Sequence, residues 1–158
     1  MELGYGIPDR LRLVPVDFEG GDSWPEQLAA AGFDSTRPAV VVSTGVTMYL
    51  TRDATAATLR RIAGLAPGTT LAMTFLPPPE LVAPADRPGL RTSKEGPQTS
   101  GTPFLSFCTP QDMLSLAHEA GFADARHVPG SLLADRYFAD RGDGLRPSSG
   151  EDFLPATT

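Results

Sequence analysis

Two stretches of the 158-residue chain set chemically useful side chains at places where strands would end. Asp17 follows the apolar run Leu11, Leu13, Val14 and Val16, and Phe18 stands next to it. A carboxylate at a strand end can accept from an amino group or hydroxyl of a bound nucleotide, and a ring can lie against a base. The same Asp can equally start a turn, because its side chain bonds backbone amides two residues on. Ser43-Thr44-Gly45 closes a second apolar run, with Met48 and Tyr49 just beyond. Glycine there either lets the backbone approach a ligand or only permits a turn. Tyr49 either meets a ligand or packs in the core. His118, His127, Cys108 and Glu95 are the other candidates. His118 reads as solvated helix surface, His127 as packed or hydrogen-bonded across strands, and Glu95 as a solvated charge. One cysteine and two separated histidines argue against a zinc site. No residue stands out as a catalytic base or nucleophile, and there is no Walker A loop, nucleophile elbow or G-x-G-x-x-G.

The elements that must position these residues alternate. Leu11 to Val16 reads as a strand, and Ser23-Trp24-Pro25-Glu26 has the spacing of a capping box opening a short helix that Gly32 stops. Val40, Val41 and Val42 in succession suggest a strand covered on both faces. Thr51 can cap a helix with Asp53 in its first turn and a stripe of Ala56, Leu59, Ala63 and Ala66 that Ile62 widens. Thr70 to Phe75 is the next strand. Residues 77–103 are rich in Pro, Gly, Ser and Thr without a clear period, too long for an ordinary connection, so a lid or insertion is expected. Thr109 opens a helix that Gly121 ends, Ala125 to Val128 is a strand, and Ser131 to Phe138 a short helix. Phe153 to Ala156 could close the sheet, with Pro155 demanding an edge or end position. This order implies a mostly parallel α/β sheet with helices on both faces, whose ligands bind beyond the carboxyl ends of the strands.

Hydrophobic residues make up 41% of the chain and charged residues 20%, enough apolar material for one packed domain over residues 1–158. The formal net charge of -6 argues against nucleic acid or an anionic membrane as partner. No apolar run reaches the roughly 18 residues of a membrane span. Met1 to Arg10 has no signal-peptide pattern and reads as the tail of a loop entering a strand. With Cys108 the only cysteine, a cytoplasmic setting is the expectation.

The strings Leu13-Val14-Pro15-Val16-Asp17-Phe18-Glu19, Trp24-Pro25, Ala31-Gly32-Phe33-Asp34, Arg37-Pro38, Gly45-Val46 and Met48-Tyr49-Leu50 occur in order, and after them Ser106-Phe107, Thr109-Pro110 and Ala120-Gly121-Phe122. Together they resemble the leucine carboxyl methyltransferase-like family of S-adenosylmethionine-dependent methyltransferases, from about Leu11 to Thr158. The resemblance implies a partial Rossmann-like methyltransferase sheet lacking its first two strands and the glycine-rich loop. It places Asp17 and Phe18 at the adenine of S-adenosyl-L-methionine and Gly45 as a neighbour of that cofactor. Thr44 stands where the family commonly has Glu, which weakens the contact to the cofactor's methionine end. It further implies transfer to an oxygen, carboxylate or hydroxyl, of a small-molecule acceptor beneath the insertion. A companion N-terminal fragment, an exposed edge at Val40 to Val42, poor autonomous stability and weak cofactor binding are also expected. A non-catalytic α/β remnant or partner-binding module is the alternative.

Overall fold

The computed structural model describes residues 10–21, 23–99 and 101–158, and the reading of Met1 to Arg10 falls almost wholly outside them. Among the described residues five helices and four strands succeed one another: α1 (Trp24–Ala30), β1 (Val40–Ser43), α2 (Arg52–Ala63), β2 (Thr70–Phe75), α3 (Arg87–Thr99), α4 (Pro110–Ala120), β3 (Asp124–Ala125), α5 (Gly130–Tyr137) and β4 (Asp152–Thr157). A 3-10 turn over Thr47–Tyr49 links β1 to α2.

The strands form one open sheet in the order β1-β2-β4-β3. It is mixed, where a mostly parallel sheet was expected. β1 pairs with β2 in parallel, and β4 lies antiparallel to both β2 and β3. The cause is β4, which returns between β2 and β3 against their direction, so that three strands share one sense while two of the three pairings are antiparallel.

Pro155 therefore sits inside the sheet, not at the edge or end expected from its missing N–H. Its carbonyl accepts from the Arg126 amide at 3.0 Å, but it has no amide to return. The ladder breaks at that point: β3 stops at Ala125 and resumes only as an isolated bridge between Val128 and Phe153. The donorless position faces the partner that can be interrupted, which reconciles proline with an interior strand.

The core lies on one face. Trp24 of α1, Leu59 and Ile62 of α2, and Met113, Leu116 and Ala117 of α4 pack together with Leu71, Met73, Phe75, Leu154 and Ala156 of the sheet. On the opposite face Val40 and Val42 are 77% and 65% exposed, so the valine run is not covered on both sides. Leu11 to Val16 forms no strand, and Leu11 and Leu13 are exposed. The alternation is present, but among the described residues no neighbouring strand takes up its backbone.

Local signals fare unevenly. Thr51 caps α2, its hydroxyl oxygen accepting from the Ala54 amide at 3.3 Å, and Thr109 caps α4 in the same way through Asp112. Gly121 ends α4 with φ 104°, a left-handed conformation suited to glycine. Ser23, by contrast, makes no side-chain cap, so the expected capping box with Glu26 is not formed. The buried face of α2 is Ala54, Thr55, Thr58, Leu59 and Ile62, rotated toward two threonines that the apolar stripe omitted.

The insertion also differs from expectation, since it contains the helix α3. Leu90 is its one buried side chain, packing with Met48, Leu76 and Val82 and flanked by Phe104 and Phe107. A single apolar anchor among Pro88, Gly89, Gly96 and Pro97 leaves no helical period to read. The base of the insertion is fastened to the C-terminal region through Asp86. Its carboxylate accepts from both Arg146 Nη atoms, at 2.7 and 3.0 Å, and from the amide and hydroxyl of Ser149. These bonds, the Arg146 guanidinium first, hold the Asp86 carboxyl well below the usual carboxylate range.

Candidate functional site

The loop after residue 16 is fixed by its own amides and by α2. Asp17 Oδ1 accepts from the Glu19 and Gly20 amides at 3.0 and 2.9 Å, a local turn of the kind Asp favours. Its other oxygen, Oδ2, sits beside Gly20, where an added Cβ would come within 2.7 Å of it. Glu19 reaches the start of α2: its carboxylate accepts from the Thr51 amide at 2.6 Å and from the Thr51 hydroxyl at 3.0 Å. Arg61 Nη2 donates to the Gly21 carbonyl at 2.9 Å. The sequence reading placed Glu19 among the residues at the strand end but gave it no role, since its bond to Thr51 is made across distant segments.

Thr51 thus serves helix and loop together. Thr51→Ala is expected to cost about 1 kcal/mol, the usual loss for a removed cap, and to raise amide exchange at Glu19 and Gly20. Hydrogen exchange that quickens in α2 but not in the loop would show that the Glu19 bridge does not hold it.

The turn after β1 is tied to β2. The Gly45 amide donates to Thr74 Oγ1 at 2.9 Å, and the Thr47 hydroxyl donates to the Thr74 carbonyl at 2.8 Å. Gly45 has φ 68°, and nothing lies within 4 Å of where a Cβ would be, so its open side can receive another group closely. The insertion closes on this turn: the Leu105 amide donates to the Met48 carbonyl, and the Ser106 hydroxyl lies 2.8 Å from the carbonyls of Thr47 and Leu50. Tyr49 is 39% exposed, its ring edge-on to Phe104 at 5.4 Å, so it belongs to the rim of the insertion and not to the core.

A cavity of about 270 Å³ joins these parts, lined by Phe18, Trp24, Ser43, Thr44, Val46 and the inner side of α2. Phe18 and the residues on either side of Gly45 therefore share one wall, while Asp17 and Gly45 themselves lie just outside it. Trp24 Nε1, Thr55 Oγ1 and Thr58 Oγ1 are buried here without a hydrogen-bond partner. An open carboxylate oxygen, a ring wall and an unobstructed glycine fit the base end of a nucleoside. Among the described residues no three His, Cys, Asp or Glu side chains cluster as metal ligands.

A second polar cluster lies at the far side of the sheet. Buried Asp152, opposite Phe75 at the end of β2, accepts from the Gly130 amide at 2.9 Å and lies 2.8 Å from His127 Nε2. Here His127 makes the cross-strand bond expected of it. Asp152 was not singled out, because its neighbours Phe153 and Leu154 read as plain strand. His118 is exposed on α4.

This architecture, helices packed on an open sheet whose last strand is reversed, is an α/β methyltransferase-like fold. Residues 1–63 match the family model of leucine carboxyl methyltransferase. A relative from Mycolicibacterium gilvum is 43% identical over 67 residues, covering 42% of this chain and 21% of its own length. One from Mycobacterium avium is 39% identical over 77 residues, 48% of this chain and 25% of that protein. Both names assign them, with no acceptor stated, to the S-adenosyl-L-methionine-dependent methyltransferases. The chain thus spans about a quarter or less of the length of these relatives. Among solved structures, a DUF574 family protein of Streptomyces avermitilis superposes with TM-score 0.56 at 16% identity, over 85% of this chain and 51% of its own. A Bordetella parapertussis protein does so with TM-score 0.51 at 21% identity, over 85% and 50%. The family match covers residues 1–63, short of the span to Thr158 read from the strings, and these two superpositions speak for the fold alone.

Proposed function

We propose that this chain is part of an S-adenosyl-L-methionine-dependent methyltransferase that methylates an oxygen, carboxylate or hydroxyl, of a small-molecule acceptor. The observation that carries the proposal is that the family match falls on the segment containing Asp17, Phe18 and Gly45, and that Phe18 shares a cavity wall with the neighbours of Gly45. In this reading Asp17 Oδ2 accepts from the base end of the cofactor, Phe18 lies against the ring, and the Gly45 backbone comes close beside it. The bound cofactor supplies a sulfonium methyl group. The protein's task is to hold the acceptor oxygen in line with that group, since positioning is the main source of acceleration in such a displacement. In this reading the insertion, whose Val82 and Leu90 pack with Met48 and Leu76 just past β1 and β2, covers the acceptor and excludes water. No nucleic acid or membrane partner enters the reading, and its setting is the cytoplasm.

The chain alone offers only the base end of this site, so the remainder is assigned to a companion N-terminal segment. Titration of the isolated chain with S-adenosyl-L-methionine is expected to give no micromolar binding, and micromolar affinity in calorimetry would overturn that division. The second reading, a non-catalytic α/β module, is favoured by one observation: Asp17 Oδ1 is already taken by its own turn. Asp17→Asn separates the two. It weakens cofactor binding by the completed protein if Oδ2 is a ligand and leaves it unchanged if Asp17 only builds the turn.

A further inference from the structure

Along α3, Arg87, Arg91 and Lys94 recur at helical spacing and, with Pro79, Leu90 and Glu95, line a hollow of about 420 Å³. Its back is apolar, since Leu90 is anchored among Met48, Leu76 and Val82 just past β1 and β2. Two of the cations are held in place without being neutralised. Arg87 donates from Nε to the Val82 carbonyl at 2.9 Å and from Nη2 to the Glu80 carbonyl at 3.0 Å. Lys94 Nζ lies over the Phe107 ring, 4.6 Å from its centroid. Carbonyls and a ring orient a cation but leave its charge in full. Arg91 forms no ion pair among the described residues, whereas Arg52, Arg126, Arg141 and Arg146 each face an aspartate. Asp86, next in sequence to Arg87, is committed to Arg146 and Ser149. The one carboxylate among the lining residues is Glu95, so the hollow keeps an excess of two positive charges in a chain of net charge -6. Like charges four residues apart on a helix face, as Arg87 and Arg91 are, repel each other, so the row costs α3 stability unless an anion lies between them.

We propose that this hollow is an anion site and that it takes the phosphate of a small phosphate monoester. Such a phosphate carries about -1.5 to -2 charges at neutral pH, which matches the excess, while a single carboxylate would leave the site half neutralised. The donors also suit it. Arg91 has its whole planar fork to offer, Arg87 keeps Nη1 beside the two nitrogens already used, and Lys94 adds a point charge. Pro79 and Leu90 give the organic part of the ester an apolar seat. The hollow belongs to the insertion, which in the proposed function covers the acceptor. On that reading the ligand is the acceptor itself, anchored by its phosphate away from the oxygen that receives the methyl group. That last step rests on the proposed function, and the anion site does not.

The test titrates the full 158-residue chain with phenyl phosphate, inorganic phosphate and acetate at constant ionic strength, following backbone amide signals by NMR. Saturable shifts are expected at Arg91, Lys94 and Glu95 with phenyl phosphate, at roughly millimolar affinity for so open a site. Inorganic phosphate should bind more weakly and acetate most weakly. Arg91→Gln and Lys94→Gln should leave the rest of the spectrum unchanged and weaken binding severalfold each. Glu95→Gln should tighten it, because it removes the opposing charge. No saturable shift in α3, acetate binding as well as phenyl phosphate, or binding that all three variants leave unaltered overturns the proposal. Inorganic phosphate binding more tightly than phenyl phosphate overturns the monoester in favour of free phosphate. The titration is read without S-adenosyl-L-methionine, so a failure of the methyltransferase reading would leave the site standing, and a failure of the site would leave that reading standing.

Discussion

Replacing Asp152 with alanine is expected to lower stability by about 3 kcal/mol, the upper end of the cost of leaving buried hydrogen-bonding partners unsatisfied. Asp152 is 6% exposed, and each carboxylate oxygen is used: Oδ1 by the Gly130 amide that starts α5, Oδ2 by His127. Truncation strands that amide, which cannot turn to solvent, and leaves the imidazole without its partner beside Phe75, whose ring centroid is 6.1 Å away. The surroundings cannot readily close over the gap. A Cβ on Gly130 would lie 2.7 Å from the Ser148 carbonyl oxygen and 2.8 Å from that of Glu151, so the backbone is already tightly set. For a domain of this size the melting temperature should fall by roughly 8 °C, taking about 2–4 °C per kcal/mol. Asp152→Asn keeps an acceptor for Gly130 and should lose far less, about 1 kcal/mol. Equal losses for the two variants in urea unfolding would mean that the amide bond to Gly130 is not what Asp152 contributes.

Which features could be read in advance depends on which interactions are local. The cap at Thr51, the cap at Thr109 and the stop at Gly121 depend on residues within a turn of one another, and all three were legible. So were β2 over Thr70 to Phe75 and, within a residue or two, α1, α2, α4 and α5. The mixed sheet was not, because the direction of β4 is set by where the chain finds a free neighbour and not by anything in Asp152 to Thr157. The same holds for Leu11 to Val16. Alternation states that a segment can be a strand, whereas pairing requires a partner whose backbone is available. At the candidate site the residue types at Asp17, Phe18 and Gly45 were visible, and the structure brings Phe18 and the neighbours of Gly45 to one wall. The Glu19 bridge to Thr51, the unpartnered threonines of α2 and the choice of Asp152 as the partner of His127 were missed because each depends on contacts between distant segments or on the orientation of a helix.

The one-sided sheet makes the core unusually exposed to single losses, and Phe75→Ala should show it. Phe75 is 1% exposed at the end of β2, packed in the main cluster beneath the junction with the insertion. Truncating a buried phenylalanine costs about 3–5 kcal/mol, the transfer loss plus a cavity that neighbours fill only in part. Typical domains hold about 5–15 kcal/mol in all. Here the main cluster packs against one face of the sheet, while Val40 and Val42 on the other remain in water. The variant is therefore expected to lose its cooperative thermal transition, or to melt roughly 6–20 °C lower by the same conversion of ~2–4 °C per kcal/mol. Leu13→Ala is the matched control: Leu13 is 73% exposed, so its loss should stay within about 0.5 kcal/mol. Were Leu11 to Val16 a sheet strand in the isolated chain, Leu13→Ala would instead destabilise by a substantial part of what Phe75→Ala does, and circular dichroism melts of the pair decide between these. A Phe75→Ala chain that melts cooperatively near the parent temperature on its own would show that the sheet does not depend on this one packed face.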